Sequence, residues 1–140
     1  MRINLKFQFL TLLFCFASLA TFANVIPPQE IPADKWEKLG QRKVNYKVDR
    51  DEILVTGYEG SFTALRIHVE KGGINLHRIA VHFRNGDVQD INVEVSMPAG
   101  TISRVLNLEG KRRIIHKVVF WYDTKNFSED KAVVELWGRH

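Results

Sequence analysis

Ile74-Asn75-Leu76-His77-Arg78-Ile79-Ala80-Val81-His82-Phe83, then Arg84-Asn85-Gly86-Asp87, then Val88-Gln89-Asp90-Ile91-Asn92-Val93-Glu94-Val95, is the stretch that decides the fold class. Two runs rich in β-branched residues alternate apolar and polar side chains, and an Asn-Gly pair stands between them. A period of two places alternate side chains on one face of a strand, and Asn-Gly supplies the positive φ a tight hairpin needs. Working outward, the same grammar gives strands near Lys38–Val48, Glu52–Gly57, Phe62–Glu70, Ile74–Phe83, Val88–Met97, Thr101–Leu108, Arg113–Tyr122 and Ala132–Trp137. About eight short strands with tight connections predict an all-β, antiparallel β-sandwich of jelly-roll type over residues 36–140.

The register follows from the apolar rows. Gly72-Gly73 reads as a two-residue turn needing positive φ, which sets Val69 opposite Leu76. An extra residue at His77–Arg78 then brings Ile67 to Ile79, Leu65 to Val81 and Thr63 to Phe83. Asn85-Gly86 sets Phe83 opposite Val88, and a second bulge at Gln89–Asp90 aligns Val81 and Ile79 with Ile91 and Val93. One face is then core: Leu65, Ile67, Val69, Leu76, Ile79, Val81, Phe83, Val88, Ile91, Val93 and Val95. Arg113–Tyr122 is apolar on both parities and is expected to be a central strand.

The opposite face collects the candidate ligand-binding residues Arg66, His68, Arg78, His82, Asn92 and Glu94, with Arg78 and Glu94 expected to form a cross-strand ion pair. Two readings are open for this row: a solvated sheet face, or a shallow polar platform for a sugar or small anion. A second group, Arg42, Asp49, Asp51, Arg104 and Arg113, reads as a structural charge cluster in which arginines buttress the acidic turn Asp49–Glu52 through bidentate pairs. Asp49 and Asp51 offer hard oxygens to calcium, but no glycine marks a calcium loop, and a turn capped by its own Asp side chains is the simpler reading. The histidines lack zinc-ligand spacing, so no metal site and no cofactor are expected. The basic stretch Lys111-Arg112-Arg113 suits either solubility at a turn or a phosphate-bearing surface.

Outside the domain, Arg2 and Lys6 precede the apolar run Phe7–Ala17 and the small-residue ending Thr21-Phe22-Ala23. This is the order of a cleavable export signal over residues 1–23, too short in its apolar part to span a bilayer. Residues 24–35, with Pro27, Pro28 and Pro32, read as an extended leader. Cys15, the only cysteine, falls inside the signal, so the mature chain is expected to have no disulfide and no thiolate chemistry. Leaving out Arg2 and Lys6, lysine and arginine barely exceed aspartate and glutamate, which disfavours a nucleic-acid binder. Catalytic residues are not expected: Gly60-Ser61-Phe62 lacks a nucleophile-elbow frame, and nothing pairs two carboxylates across a cleft.

Trp36-x-x-Leu39-Gly40-x-Arg42-x-Val44, Asp49-Arg50-Asp51, Gly60-x-Phe62-x-x-Leu65-Arg66-Ile67-x-Val69, Val81-x-Phe83-x-Asn85-Gly86, Ser103-Arg104-x-Leu106-x-Leu108-x-Gly110, Arg113-x-Ile115-x-x-Val118-x-Phe120-x-Tyr122 and Val134-x-Leu136-x-Gly138 together form a recognisable pattern. It resembles a group of small exported bacterial proteins known as a domain of unknown function, similar to the enterobacterial YaaI type. The resemblance implies a periplasmic or secreted β-domain and brings no catalytic or ligand residues with it. The expected role is a non-catalytic interaction or structural module of the envelope, its partner an envelope protein or a glycan. A carbohydrate-binding module is the alternative and a small hydrolase the third reading. Tryptophans separate the first two, because sugar sites stack rings on exposed aromatics. Trp121 is expected in or near the core, and Trp36 and Trp137 lie close to the chain ends.

Overall fold

The computed structural model describes residues 35–127 and 131–140; the export-signal reading of residues 1–23 and nearly all of the 24–35 leader lie outside the described residues. Nine strands follow in order: β1 (Trp36–Lys43), β2 (Arg50–Leu54), β3 (Ala64–Glu70), β4 (Ile74–Phe83), β5 (Val88–Met97), β6 (Thr101–Ile102), β7 (Leu106–Asn107), β8 (Ile115–Asp123) and β9 (Val133–Arg139). A single 3₁₀ turn, Gly57–Glu59, interrupts them. Among the described residues, no helix is long and apolar enough to cross a membrane.

The strands form two antiparallel sheets, one ordered β1-β9-β3-β6 with β7 also on β3, the other β2-β8-β4-β5. The pairing is nested: β1 with β9, β2 with β8, β3 with β6 and β7, β4 with β5. A long hairpin folded over on itself in this way is a jelly roll, in which successive strands of each arm alternate between sheets. The expected β-sandwich is present, and β8 lies between β2 and β4 as an interior strand.

Nesting overturns the expected hairpin across Gly72-Gly73. β3 and β4 belong to different sheets, so Ile67 and Leu65 face the same core as Ile79 and Val81 from the other sheet and are not paired side by side with them. Both strands keep the predicted inward parity, because either arrangement buries the same apolar row. The connection has its positive φ at Lys71 (65°), not at the glycines. Gly73 is needed for space: a Cβ there would sit 2.2 Å from the Phe127 ring.

The β4–β5 hairpin exists, shifted by one residue. Its loop is Arg84-Asn85-Gly86, closed by Gly86 N–H to Phe83 O at 3.0 Å and Phe83 N–H to Asp87 O at 2.9 Å, with Gly86 at φ 96°. This is the three-residue loop in which a left-handed glycine forms a G1 bulge. His82 therefore pairs with Val88 and Val81 with Gln89, and no bulge is required at Gln89–Asp90. As a result Val88 is half exposed and Gln89 turns inward. The bulge at His77 is real, but it arises against β8, where Leu76 pairs with Tyr122 and Arg78 with Trp121. On the β5 side the extra residues are Val93 and Glu94, and Glu94 takes φ 44°.

Leu65, Ile67 and Val69 of β3 and Val134 and Leu136 of β9 form one wall of the core, against Leu76, Ile79 and Val81 of β4 and Val118, Phe120 and Tyr122 of β8; all are 1% exposed or less. Where β5 would leave the side of the sandwich open, Gln89 closes it. Its Nε2 donates to Asn107 O at 3.1 Å and its Oε1 accepts from Glu109 N–H at 2.8 Å.

Candidate functional site

Nesting sends the predicted polar row to opposite sides of the molecule. Arg66 and His68 lie on the outer face of the first sheet, and Arg78, His82, Asn92 and Glu94 belong to β4 and β5 of the second. They do not form one platform.

On the first sheet, strand alternation puts Leu65, Ile67, Leu136 and Gly138 inward and Arg66, His68, Glu135, Trp137 and Arg139 outward. Register then aligns them: Trp36 opposite Arg139, Lys38 opposite Trp137, Trp137 opposite Arg66, and Glu135 opposite His68. The His68 ring stacks on Trp137 with centroids 4.8 Å apart and planes 18° apart. The Arg66 guanidinium lies 4.2 Å from the Trp36 ring centre, and that of Arg139 lies 5.7 Å from the same ring. Cation–π contact of this kind sets the cation over the face of the ring.

Glu135 organises one side of the strip. It accepts from Lys38 Nζ at 2.7 Å and from Trp137 Nε1 at 3.0 Å. The Lys38 bond, supported by Trp137, holds its carboxyl below the usual glutamate range. Burial foremost lowers His68 below the ordinary histidine value, which favours the uncharged ring. Arg66 and Arg139 differ from Lys38: among the described residues neither pairs with a carboxylate. The Arg66 Nε is buried without a hydrogen-bond partner among those residues, and Arg139 Nε donates to Thr63 Oγ1 at 3.1 Å.

The second sheet presents Trp121 beneath Arg78, whose guanidinium is 3.4 Å from the ring centre. Arg78 pairs with Asp90 at 3.0 Å, not with the expected Glu94. Glu94 instead reaches the bulged His77, whose Nδ1 is 3.3 Å away, while His77 Nε2 lies 2.7 Å from Asp123 Oδ2. Asn75 donates to the other Asp123 oxygen at 2.7 Å. The Glu94 bond, joined by Asp123, raises His77 above its usual value, and Asn75 foremost lowers Asp123. A cleft of about 350 Å³ lined by Tyr46, Asp49, Tyr122 and Asp123 opens nearby. Among the described residues no group of three or more His, Cys, Asp or Glu is placed to hold a metal ion.

The predicted charge cluster also separates. Arg42 does meet Asp51, at 3.1 Å, and Asp51 accepts from the Tyr122 hydroxyl at 2.9 Å. Burial first, then Asp51, pushes the Tyr122 phenol well above its ordinary value. Arg104 is elsewhere, donating to Asn92 O at 2.7 Å on the edge of β5. Arg113 buttresses the β4–β5 turn, donating to Glu109 O at 3.0 Å and Asp87 at 3.1 Å, with its guanidinium 3.8 Å from the Phe83 ring centre. The arginines of the expected cluster thus meet three different sets of partners, and only Arg42 meets the acidic turn.

All three tryptophans are half-buried on outer faces, and Trp121 is not a core residue. Lys38, Glu135, Arg139, His77 and Asp123 were not singled out by the sequence. The alternation Glu135-Leu136-Trp137-Gly138-Arg139 carries the signal for two of them, Glu135 and Arg139, since every second residue there is polar or aromatic.

The family described as "Domain of unknown function (DUF2541)" matches residues 9–138, and the chain belongs to it. No curated protein and no solved structure matches the chain.

Proposed function

We propose that this protein is an exported, non-catalytic interaction module of the bacterial envelope, and that it engages its partner through the outer face of the first sheet. The observation that carries this reading is the strip Trp36–Arg66–Trp137–His68, with Arg66 and Arg139 unmatched by carboxylates among the described residues. Trp and Arg are the side chains that most often supply binding energy at interfaces, and an unmatched pair of charges favours a partner of opposite sign. The sequence offers no nucleophile-elbow frame around Ser61, which supports the non-catalytic part. The segment Arg2–Ala23 and the likeness to YaaI-type exported proteins support export.

Two measurements test this. Mass spectrometry of the protein recovered from the periplasm should give a chain beginning at Asn24; an intact N-terminus in the cytosol contradicts export. Co-sedimentation with envelope fractions should fall for Arg66→Gln and Arg139→Gln and persist for Arg78→Gln on the opposite sheet. Equal sedimentation of all three would overturn the choice of face.

A further inference from the structure

We infer that the first sheet's outer face binds a carboxylate-bearing saccharide, its acid group held by Arg66 and Arg139 and its ring laid along the Trp36–Trp137 strip. This rests on the reading above that this face is the binding face, and it names the ligand class.

The positive charge beside the indoles comes from few groups. Lys38 is committed to Glu135 and to Gln41 Oε1, at 2.7 Å each, and burial disfavours a charge on His68. Arg66 and Arg139 remain, both against one indole. A guanidinium stacked on a ring uses its flat face, and it recognises carboxylates in its own plane, through a fork of two N–H groups. The two interactions are therefore compatible, and contact with Trp36 restricts where the fork can lie. Arg139 spends its Nε on Thr63, which leaves its terminal nitrogens for a ligand. Its neighbour across the register is Ala64, which adds no bulk above the sheet.

The shape argues for a sugar. The strip lies across the outer face of three adjacent strands, β1, β9 and β3, whereas an extended peptide would pair along a strand edge. A pyranose ring offers C–H groups to the indoles while its carboxylate reaches the arginines. His68 and Arg66 already cover part of the indole surface, so stacking alone gives weak binding and the acid group decides the affinity.

The test titrates the purified protein with trigalacturonate and, separately, with uncharged galactotriose, following tryptophan fluorescence and heat. Trigalacturonate should bind, more weakly as salt rises, and galactotriose should bind about tenfold or more weakly. Arg66→Gln and Arg66→Lys should each lose about tenfold or more for the acid sugar, since lysine keeps the charge and loses the planar fork. Arg139→Gln serves if an Arg66 variant melts early. Equal affinity for both sugars, no binding of trigalacturonate, or arginine variants that bind unchanged would each overturn the saccharide assignment. If trigalacturonate fails while the arginine variants still leave the envelope fraction, the face is right and its ligand is a protein or another polymer. If neither changes, the face itself is wrong.

Discussion

Both outer faces of the sandwich set tryptophan against arginine, and they are finished differently. On the second sheet, Arg78 over Trp121 is tied to Asp90, Lys117 to Glu52, and His77 sits between Glu94 and Asp123. Those three cations are answered within the fold, whereas Arg50, 5.6 Å from the Trp121 ring centre, has no carboxylate partner among the described residues. On the first sheet, Arg66 and Arg139 flank Trp36 with no carboxylate partner among the described residues, and the acid beside Trp137, Glu135, is occupied by Lys38. The same residue types therefore stabilise one sheet and leave the other ready for a charged partner. Composition cannot tell these cases apart; pairing can.

The sharpest way to break this comparison is to remove one tryptophan from each face. Trp121 stands on an interior strand, so Trp121→Ala should lower unfolding free energy by about 2–4 kcal/mol in urea denaturation, toward the lower part of the range for large-to-small changes because the ring is only half-buried. Trp36→Ala, at the start of an edge strand, should cost less than half of that and abolish envelope binding. Equal stability losses would erase the distinction.

Gln89→Ala should cost about 1–3 kcal/mol, because Asn107 O and Glu109 N–H lose their partner where the side chain is buried. A loss below about 0.5 kcal/mol would mean that water replaces the amide freely. Arg113→Ala should cost about 1–2 kcal/mol, since it removes charge-assisted bonds to a turn from a mostly covered side chain. An unchanged melting curve would reduce Arg113 to a solubility residue. Neither variant should alter binding by the first sheet.

The smallest effect is a pH dependence at the bulge. His77 is raised in the folded state, so its contribution to stability is complete below the ordinary histidine pKa and is lost as pH rises through the folded value. Asp123 is lowered, so its contribution is present above the ordinary aspartate pKa and is lost as pH falls through the folded value. Unfolding of His77→Ala should lack the loss on the alkaline side. A parent protein equally stable across that window would show that the histidine is not charged between its two acids.

The sequence was legible where burial alone decides. β4 and β5 have the predicted bounds, β8 is interior, and the inward parity of Leu65, Ile67, Val69, Leu76, Ile79 and Val81 is as read. Alternation reports which side of a strand is apolar; it is silent on whether the next apolar row lies beside it or across the core. That ambiguity hid the nested pairing and merged two faces into one imagined platform. The hairpin loop failed on a different point: Asn-Gly fits both two- and three-residue loops, and the one-residue difference moved Val88 outward and Gln89 inward. Arginine partners were the least legible, because a long side chain such as Arg113 reaches a turn 26 residues away in sequence.

The three tryptophans make one measurement decisive, since each indole N–H gives its own NMR signal and they sit on both faces. During titration of the ¹⁵N-labelled protein with trigalacturonate, the Trp36 and Trp137 signals should shift together and saturate while Trp121 stays in place. Movement of Trp121 alone, or no movement of Trp36 and Trp137, would contradict the account.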